Sequence, residues 1–156
     1  MAAAGSSETF DVASCLAAAE AGHLEDWIHG YLAGGPWANA GLSTGLSLKE
    51  RWWTGPLLLR LDALVRVCGP EPEMEFRVEA EGWRHKTSGM ASRLTDPMQL
   101  PPLIVEWRSD HLSVRDGSHR HAAASLAGWT ACWAVVWHNG PADGEAVRQA
   151  VAEATP

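Results

Sequence analysis

The first third of the chain combines a helical pattern with a long Gly- and Pro-containing segment. Apolar residues recur at three- and four-residue steps between residues 11 and 33, which predicts one helix that Asp11 or Ser14 caps. A Gly-Gly-Pro sequence at residues 34–36 ends it. The wide apolar face either packs on the rest of the domain or joins a dimer. Residues 34–47 follow as a loop, whose length is typical of a lid or a binding loop.

The middle of the chain alternates short apolar runs with polar stretches. Residues 49–54 are predicted as a short helical turn, residues 57–61 as a strand and residues 62–67 as a short helix. A rigid Gly-Pro-Glu-Pro break and a cluster of glutamates come next, and such a cluster is usually a solvated face. Residues 79–94 then have the spacing of a helix.

From residue 103 onward, the pattern predicts a hairpin, a helix, a buried strand and a terminal helix. The hairpin strands alternate apolar and polar positions, and the later strand is a continuous apolar run. Gly128 stands in the usual place after a helix. In chain order the predicted elements are a strand at 103–108, a turn at 109–111, a strand at 112–116, a turn at 117–120, a helix at 121–127, a strand at 131–137 and a helix at 143–154.

Composition narrows the classes of function. Hydrophobic residues make up 46% of the chain and charged residues 20%, as in globular proteins, and no apolar run reaches the ~18 residues of a membrane span. The N-terminus has neither a basic region nor a long apolar core, so we expect a cytoplasmic protein without membrane partners. A net charge of −7 argues against nucleic-acid binding in the absence of a local basic patch.

Cysteine and tryptophan content each leave two interpretations open. The three cysteines, Cys15, Cys68 and Cys132, lack metal-binding spacing and are either buried thiols or include a reactive one. The chain has nine tryptophans, which either serve packing throughout or include one or two that line a pocket and stack on a base or sugar.

The sequence Asp116-Gly117-Ser118-His119-Arg120 is the main candidate for chemistry. A strand that ends in a Gly turn and opens a helix exposes backbone N–H groups at the positive end of the helix dipole, which favours anion binding. Gly117 permits a tight backbone, Arg120 can fork onto phosphate oxygens, and Ser118 and His119 add polar groups. Alternatively, this is an ordinary turn in which Asp116 caps the helix and Arg120 pairs with a structural carboxylate.

The order of these features resembles the ParB/sulfiredoxin-like superfamily. A Pro-Pro-Leu-Ile-Val run at 101–105 precedes a hairpin, then Leu112-Ser113-Val114-Arg115-Asp116 leads into the turn, and an Ala-rich helix ends in Ala127-Gly128. The resemblance covers roughly residues 57–139 and is specific over 101–139. It implies an α+β fold, a small mixed sheet with flanking helices. We expect a helical extension at 1–50, the nucleotide-binding domain at 51–140 and a tail helix at 141–156.

The resemblance implies nucleotide binding. The superfamily includes partitioning proteins that bind and hydrolyse CTP, sulfiredoxins that use ATP, and free serine kinases, and in these the Gly-x-x-Arg turn cradles phosphates. Carried over, Gly117 and Arg120 would hold phosphates beside Ser118 and His119, with His121 next in the turn. Ser118 replaces the catalytic Cys of sulfiredoxins, which argues against sulfinic acid repair.

The Asp-Gly-x-His-Arg form is most similar to the serine-kinase-like branch. That similarity implies that Asp116 orients the acceptor or a metal and that His119 contacts or protonates phosphate oxygens. One glutamate among Glu71, Glu73 and Glu75 would be the base. The cofactors would be ATP or another nucleotide with Mg²⁺, held loosely by carboxylate and phosphate oxygens.

Three hypotheses therefore stand. The first is a nucleotide-dependent phosphotransferase or ATPase acting on a small-molecule acceptor. The second is a non-catalytic nucleotide- or phosphometabolite-binding regulatory module, in which the helix at 11–33 mediates dimerisation. The third is a ParB-like nucleic-acid-binding protein. All need an open cavity at the turn; an Arg120 buried against an internal carboxylate, with no cavity, would exclude them. No metal site is predicted, since His119 and His121 point about 200° apart on a helix.

Overall fold

The hairpin and the buried strand of the sequence pattern form the centre of a five-stranded mixed sheet. The protein is represented by a computed structural model that describes residues 9–35 and 37–156. The sheet order is β1-β7-β5-β6-β2, and two short strands, β3 and β4, pair separately. The strands are β1 (Trp52–Arg60), β2 (Leu64–Arg66), β3 (Cys68–Gly69), β4 (Phe76–Arg77), β5 (Leu103–Trp107), β6 (Leu112–Asp116) and β7 (Ala131–His138).

Helices flank the sheet. They are α1 (Val12–Glu20), α2 (Leu24–Gly34), α3 (Ala40–Leu46), α4 (Ala80–Ala91), α5 (Ser118–Leu126) and α6 (Gly144–Ala154). Short 3₁₀ turns lie at Leu61–Ala63, Pro97–Gln99 and Pro141–Asp143. The predicted α+β class is thus confirmed. No described helix is long and apolar enough to cross a membrane.

Both faces of the central strand β5 are covered. β5 pairs antiparallel with β6 and parallel with β7, and neighbouring side chains along a strand point to opposite faces. Leu103 and Val105 therefore pack with Ala124 of α5 and Val147 of α6, and Ile104 packs in a second cluster on the other face. A strand buried on both faces has the continuous apolar sequence that residues 103–105 show.

The N-terminal helices form the layer over the Ile104 face. Five of their buried residues share one cluster with Ile104, Val135 and Trp137, and these are Cys15, Ile28, Tyr31, Leu32 and Leu46. The apolar face predicted for residues 11–33 therefore packs on the rest of the domain. This contact brings Tyr31 and the segment after α2 toward the end of β6.

Two predictions for the N-terminal part are wrong. Residues 11–33 form two helices rather than one, because the chain turns at Gly22, whose φ of +81° is unfavourable for other residues. Asp11 and Ser14 do form a reciprocal capping box at the start of α1. The predicted loop at 34–47 contains α3, which Asn39 caps by accepting from the N–H of Leu42.

Two further predictions fail where sheet pairing overrides local pattern. Residues 49–54 do not form a helical turn, because β1 begins at Trp52, opposite His138 of β7. Residues 62–67 do not form a short helix: after a 3₁₀ turn, β2 runs parallel to β6. Cross-strand contacts of this kind come from residues distant in sequence.

The predictions for the C-terminal half are confirmed in type and order. The helix at 79–94 is α4, the hairpin is β5 and β6, and the terminal helix is α6. The difference that matters for function is at α5, which begins at Ser118 rather than His121. The residues predicted as a turn thus lie in the first turn of the helix.

Candidate functional site

The junction of β6 and α5 has the geometry of an anion site. Gly117 is the N-cap of α5, with a φ of +113°, and no side chain caps the helix there. The first turn of a helix has N–H groups without partners in the helix, and in α5 these belong to Ser118, His119 and Arg120. The N–H of His121 is the first to bond in the helical pattern, donating to the Gly117 carbonyl at 2.8 Å.

A cavity of about 570 Å³, here called the first cavity, lies in front of this junction. One wall is the junction itself, and the other is α4. Its lining residues are Trp37, His85, Lys86, Gly89, Met90, Arg93, Asp116, Gly117, His119 and Arg120. This volume is in the range of small-molecule sites.

The first cavity is locally cationic although the chain has a net charge of −7. Lys86 of α4 and Arg93, two residues after the end of that helix, are both exposed, and Arg120 lies at the base of the cavity. Asp116 is the one carboxylate among its lining residues. Such a concentration of positive charge in an acidic chain favours an anionic ligand at this place.

Arg120 is buried, with 2% of its side chain exposed. One terminal nitrogen donates to the Tyr31 hydroxyl at 2.5 Å and to the Pro101 carbonyl at 3.3 Å. The other donates to Asp116, to a carboxylate oxygen at 3.0 Å and to the carbonyl at 3.2 Å. The guanidinium therefore joins α2, the segment before β5 and the end of β6.

Two aromatic rings lie against the Arg120 guanidinium, and Asp116 accepts a further hydrogen bond from Asn39. The guanidinium carbon lies 5.5 Å from the centre of the Tyr31 ring and 5.4 Å from that of Trp37, distances typical of cation–π contacts. Burial raises the pKa of Tyr31, so its hydroxyl stays protonated. Asn39 donates to the second oxygen of Asp116 at 3.3 Å.

These contacts change the role expected of Arg120. A ligand site would be excluded if Arg120 were buried against a carboxylate and no cavity faced the turn. Arg120 is indeed paired with Asp116, but the first cavity is open to Gly117 and His119, so a ligand site remains available. With both terminal nitrogens engaged, Arg120 contributes its charge and fixes the shape of the turn. The groups left for a phosphate are the N–H groups of the turn and the side chains of Lys86 and Arg93.

His119 lines the first cavity, and its surroundings favour the neutral form of its ring. Its centre is 4.4 Å from that of the Trp83 ring of α4, over which Arg66 is placed at 5.1 Å. Burial, with the positive charges of Lys86 and Arg66, lowers the pKa of His119 below its usual value. A neutral imidazole can both accept and donate a hydrogen bond.

Ser118 and His121 are directed away from the first cavity. The buried Ser118 hydroxyl accepts from the N–H of Cys68 at 3.3 Å, which ties α5 to β3. The His121 ring bonds through Nε2 to the Leu61 carbonyl at 2.9 Å and lines a different cavity, on the other side of α5. Their side chains hold α5 in place.

The three candidate glutamates are not among the lining residues of the first cavity. Glu71 is paired with Arg66: burial raises its pKa, but its hydrogen bonds and the positive charge of Arg66 together outweigh this effect, so the net shift is downward. Glu75 receives two hydrogen bonds from Arg115, at 3.0 and 3.1 Å, which lower its pKa. Glu73 is exposed.

The sequence interpretation missed the α4 wall. Lys86 and Met90 are four residues apart, so they share one face of α4, and Arg93 follows in the turn after the helix. Lys86 is also one of only two lysines in the chain. Helical spacing that continues the Lys86–Met90 face to Arg93 was a usable signal.

Acidification is expected to destabilise the protein through His121. Burial lowers its pKa, and Nδ1 is buried without a hydrogen-bond partner among the described residues. The unfolded chain then binds more protons than the folded one as the pH falls through and below about 6.5, so stability is lost on that side and regained toward pH 7.5. Urea midpoints should fall from pH 7.5 to 5.5, and less in His121→Gln; equal falls would contradict this assignment.

The sequence matches no protein-family model and no curated protein, but the structure is similar to two solved structures. The structure is similar to sulfiredoxin from Arabidopsis thaliana, with 18% identity and a TM-score of 0.41 over 61% of this chain and 97% of that one. It is also similar to C-terminally truncated chromosome-partitioning protein ParB from Caulobacter crescentus, complexed with CTP-γ-S, with 17% identity and a TM-score of 0.37 over 64% of this chain and 52% of that one.

These two proteins represent two of the classes that the sequence motif resembles. At these identities and TM-scores, the two likenesses concern the fold alone. The chain is a mixed α+β domain that resembles the ParB/sulfiredoxin-like superfamily in its Gly-x-x-Arg turn.

Proposed function

We propose that this protein binds a nucleotide, with the phosphate chain in the first cavity against the start of α5. The observation that carries the proposal is a helix start without a side-chain cap that faces a cavity with two exposed cations, Lys86 and Arg93. Neither cation forms an ion pair within residues 9–35 and 37–156. Helix-start amides and charged donors together are the usual elements of a phosphate site.

Lys86→Ala is expected to weaken ATP binding about 10- to 150-fold, the effect of losing one charge-assisted hydrogen bond. Titration calorimetry with ATP, ADP and CTP, each with and without Mg²⁺, measures this. Lys49→Ala is the matched control, because Lys49 is the other lysine, is exposed and is not among the lining residues of the first cavity. Failure of the unmodified protein to bind any of the three, or equal affinity of the two variants, would refute the proposal.

Phosphoryl transfer to a small acceptor is the second candidate function. It is favoured by Asp116 and His119, which flank Gly117 at the first cavity. A Mg²⁺ ion would supply charge neutralisation, and Asp116 is the lining carboxylate that would hold it together with phosphate oxygens. Both Asp116 oxygens already accept hydrogen bonds, and no group of three metal-ligating side chains occurs among the described residues.

His119 would be the proton acceptor in such a reaction. Its neutral ring can take the proton of an acceptor hydroxyl while the acceptor oxygen bonds to the terminal phosphorus and the bridging P–O bond breaks. The glutamates proposed as base from sequence are elsewhere, which favours binding without turnover as the function. Product analysis of samples that contain ATP, Mg²⁺ and a mixture of small hydroxyl compounds separates the two: ADP, with a phosphorylated acceptor or free phosphate, formed at a rate that depends on protein concentration indicates an enzyme, and unchanged ATP a binding module.

A further inference from the structure

We infer that the base of the nucleotide lies in a second cavity, next to the first and partly formed by Trp37 of the N-terminal segment. This inference rests on the proposed function and adds where the rest of the ligand lies. The second cavity has a volume of about 200 Å³ and lies between α4 and the segment that leads into β5. It shares Trp37, Met90 and Arg93 with the first cavity. The two are therefore contiguous, and one ligand can extend through both.

The lining of the second cavity suits a flat aromatic group with a polar edge. Trp37, Met90 and Leu94 offer aromatic, thioether and aliphatic surface. The exposed side chains of Thr95 and Gln99 add a hydroxyl and an amide, which can donate and accept at a base edge. Base–aromatic stacking is available to every nucleobase, because each has a π-face.

Trp37 is placed to stack on a ligand. It is 42% exposed, which is unusual for so large an apolar ring, and yet it is held in position by the guanidinium of Arg120 at 5.4 Å. The contact with Arg120 uses part of the ring and leaves accessible surface within both cavities. Through this contact with Arg120, Trp37 is linked to the turn that faces the phosphate chain.

The distribution of charge sets the direction of the ligand. The first cavity holds Lys86 and the amides at Gly117, so the terminal phosphates belong there. The second cavity has Arg93 at the junction and Asp96 within it, so its formal charge is balanced. A neutral base fits this balanced cavity, and Arg93 is then next to the sugar and the first phosphate.

The test compares ATP with inorganic tripolyphosphate, which has phosphates but no base. Trp37→Leu should weaken ATP binding about 10-fold, as expected for loss of one stacked base, and change tripolyphosphate binding less than about 2-fold. Trp37→Phe should restore most of the ATP affinity because it keeps an aromatic face. The change in tryptophan fluorescence on adding ATP should be smaller in Trp37→Phe than in the unmodified protein.

A second variant controls for the possibility that Trp37 substitutions act by removing the contact with Arg120 rather than by removing a stacked base. Met90→Ala, in the same two cavities, should also weaken ATP more than tripolyphosphate, and Met98→Ala, an exposed methionine outside both, should weaken neither. If the Trp37 and Met90 variants weaken both ligands equally, or neither, the base is not in the second cavity, although the phosphate site stands. If the unmodified protein binds neither ligand, the proposed function fails and this inference with it.

Discussion

Arg120→Ala is expected to lower the free energy of unfolding by about 3–5 kcal/mol, the usual cost of removing one partner from a buried ion pair. The Asp116 carboxylate, 11% exposed, would lose its cationic partner, and the Tyr31 hydroxyl and the Pro101 carbonyl would lose a donor. Each buried polar group left without a partner is costly because water cannot replace the lost hydrogen bond. Urea unfolding followed by circular dichroism measures the loss.

A double-mutant cycle with Asp116→Asn separates the contribution of the ion pair from that of the other Arg120 hydrogen bonds. Asparagine removes the charge while keeping the size of the side chain, so the Arg120→Ala change should cost less in that background, by about 1–3 kcal/mol. Arg60→Ala is the control: its pair with Asp62 is exposed, and such pairs contribute less than about 1 kcal/mol. A loss in Arg120→Ala no larger than that in Arg60→Ala would mean that the buried contacts do not hold the turn.

This stability effect decides how the ligand site can be probed. Loss of binding in an Arg120 variant would not identify a ligand contact, because the same variant disturbs the turn that presents the N–H groups. Lys86 is the better probe: it is exposed and belongs to α4, so its removal leaves the turn intact. A binding loss in a Lys86 variant therefore reports a direct ligand contact, whereas a loss in an Arg120 variant also includes the effect of a disturbed turn.

The sequence predicted best where local pattern and tertiary role agree. β6 has the predicted bounds, because its alternating residues face the core on one side and the polar turn follows directly. β2 was missed because its three residues gain strand geometry only from parallel pairing with β6. α3 was missed because Gly41 and Gly45 give it low helix propensity, while the Asn39 cap stabilises its start.

At the site, too, features set by local sequence were predicted and features set by tertiary contacts were not. The Gly turn was identifiable because a strand, a glycine and a helix follow one another in sequence. The contacts of Arg120 with Tyr31 and Trp37 join positions more than 80 residues apart, and no spacing rule reports such a contact. The candidate glutamates are near in sequence to β2 and β3 but do not line the first cavity, and two of them, Glu71 and Glu75, pair with arginines.

Gly117→Ala is expected to cost about 4 kcal/mol of unfolding free energy and to abolish measurable ATP binding. Part of the cost is backbone strain, about 1–3 kcal/mol, because a φ of +113° is unfavourable for a residue with a side chain. The rest is steric, since the new Cβ would lie 2.6 Å from Nη2 of Arg120 and 2.6 Å from Leu103, and overpacking adds about 1–3 kcal/mol. Urea unfolding and calorimetry with ATP measure the two effects.

Gly128→Ala isolates the backbone contribution. Gly128 also has a positive φ, +87°, but a Cβ there would meet no atom within 4 Å, so only strain of about 1–2 kcal/mol is expected, with ATP binding unchanged. Gly128 is near the other end of α5, away from the first cavity. The excess cost of Gly117→Ala therefore measures the close contact of the turn with Arg120. Equal costs for the two variants, with ATP bound by both, would show that the turn needs neither this contact nor this glycine.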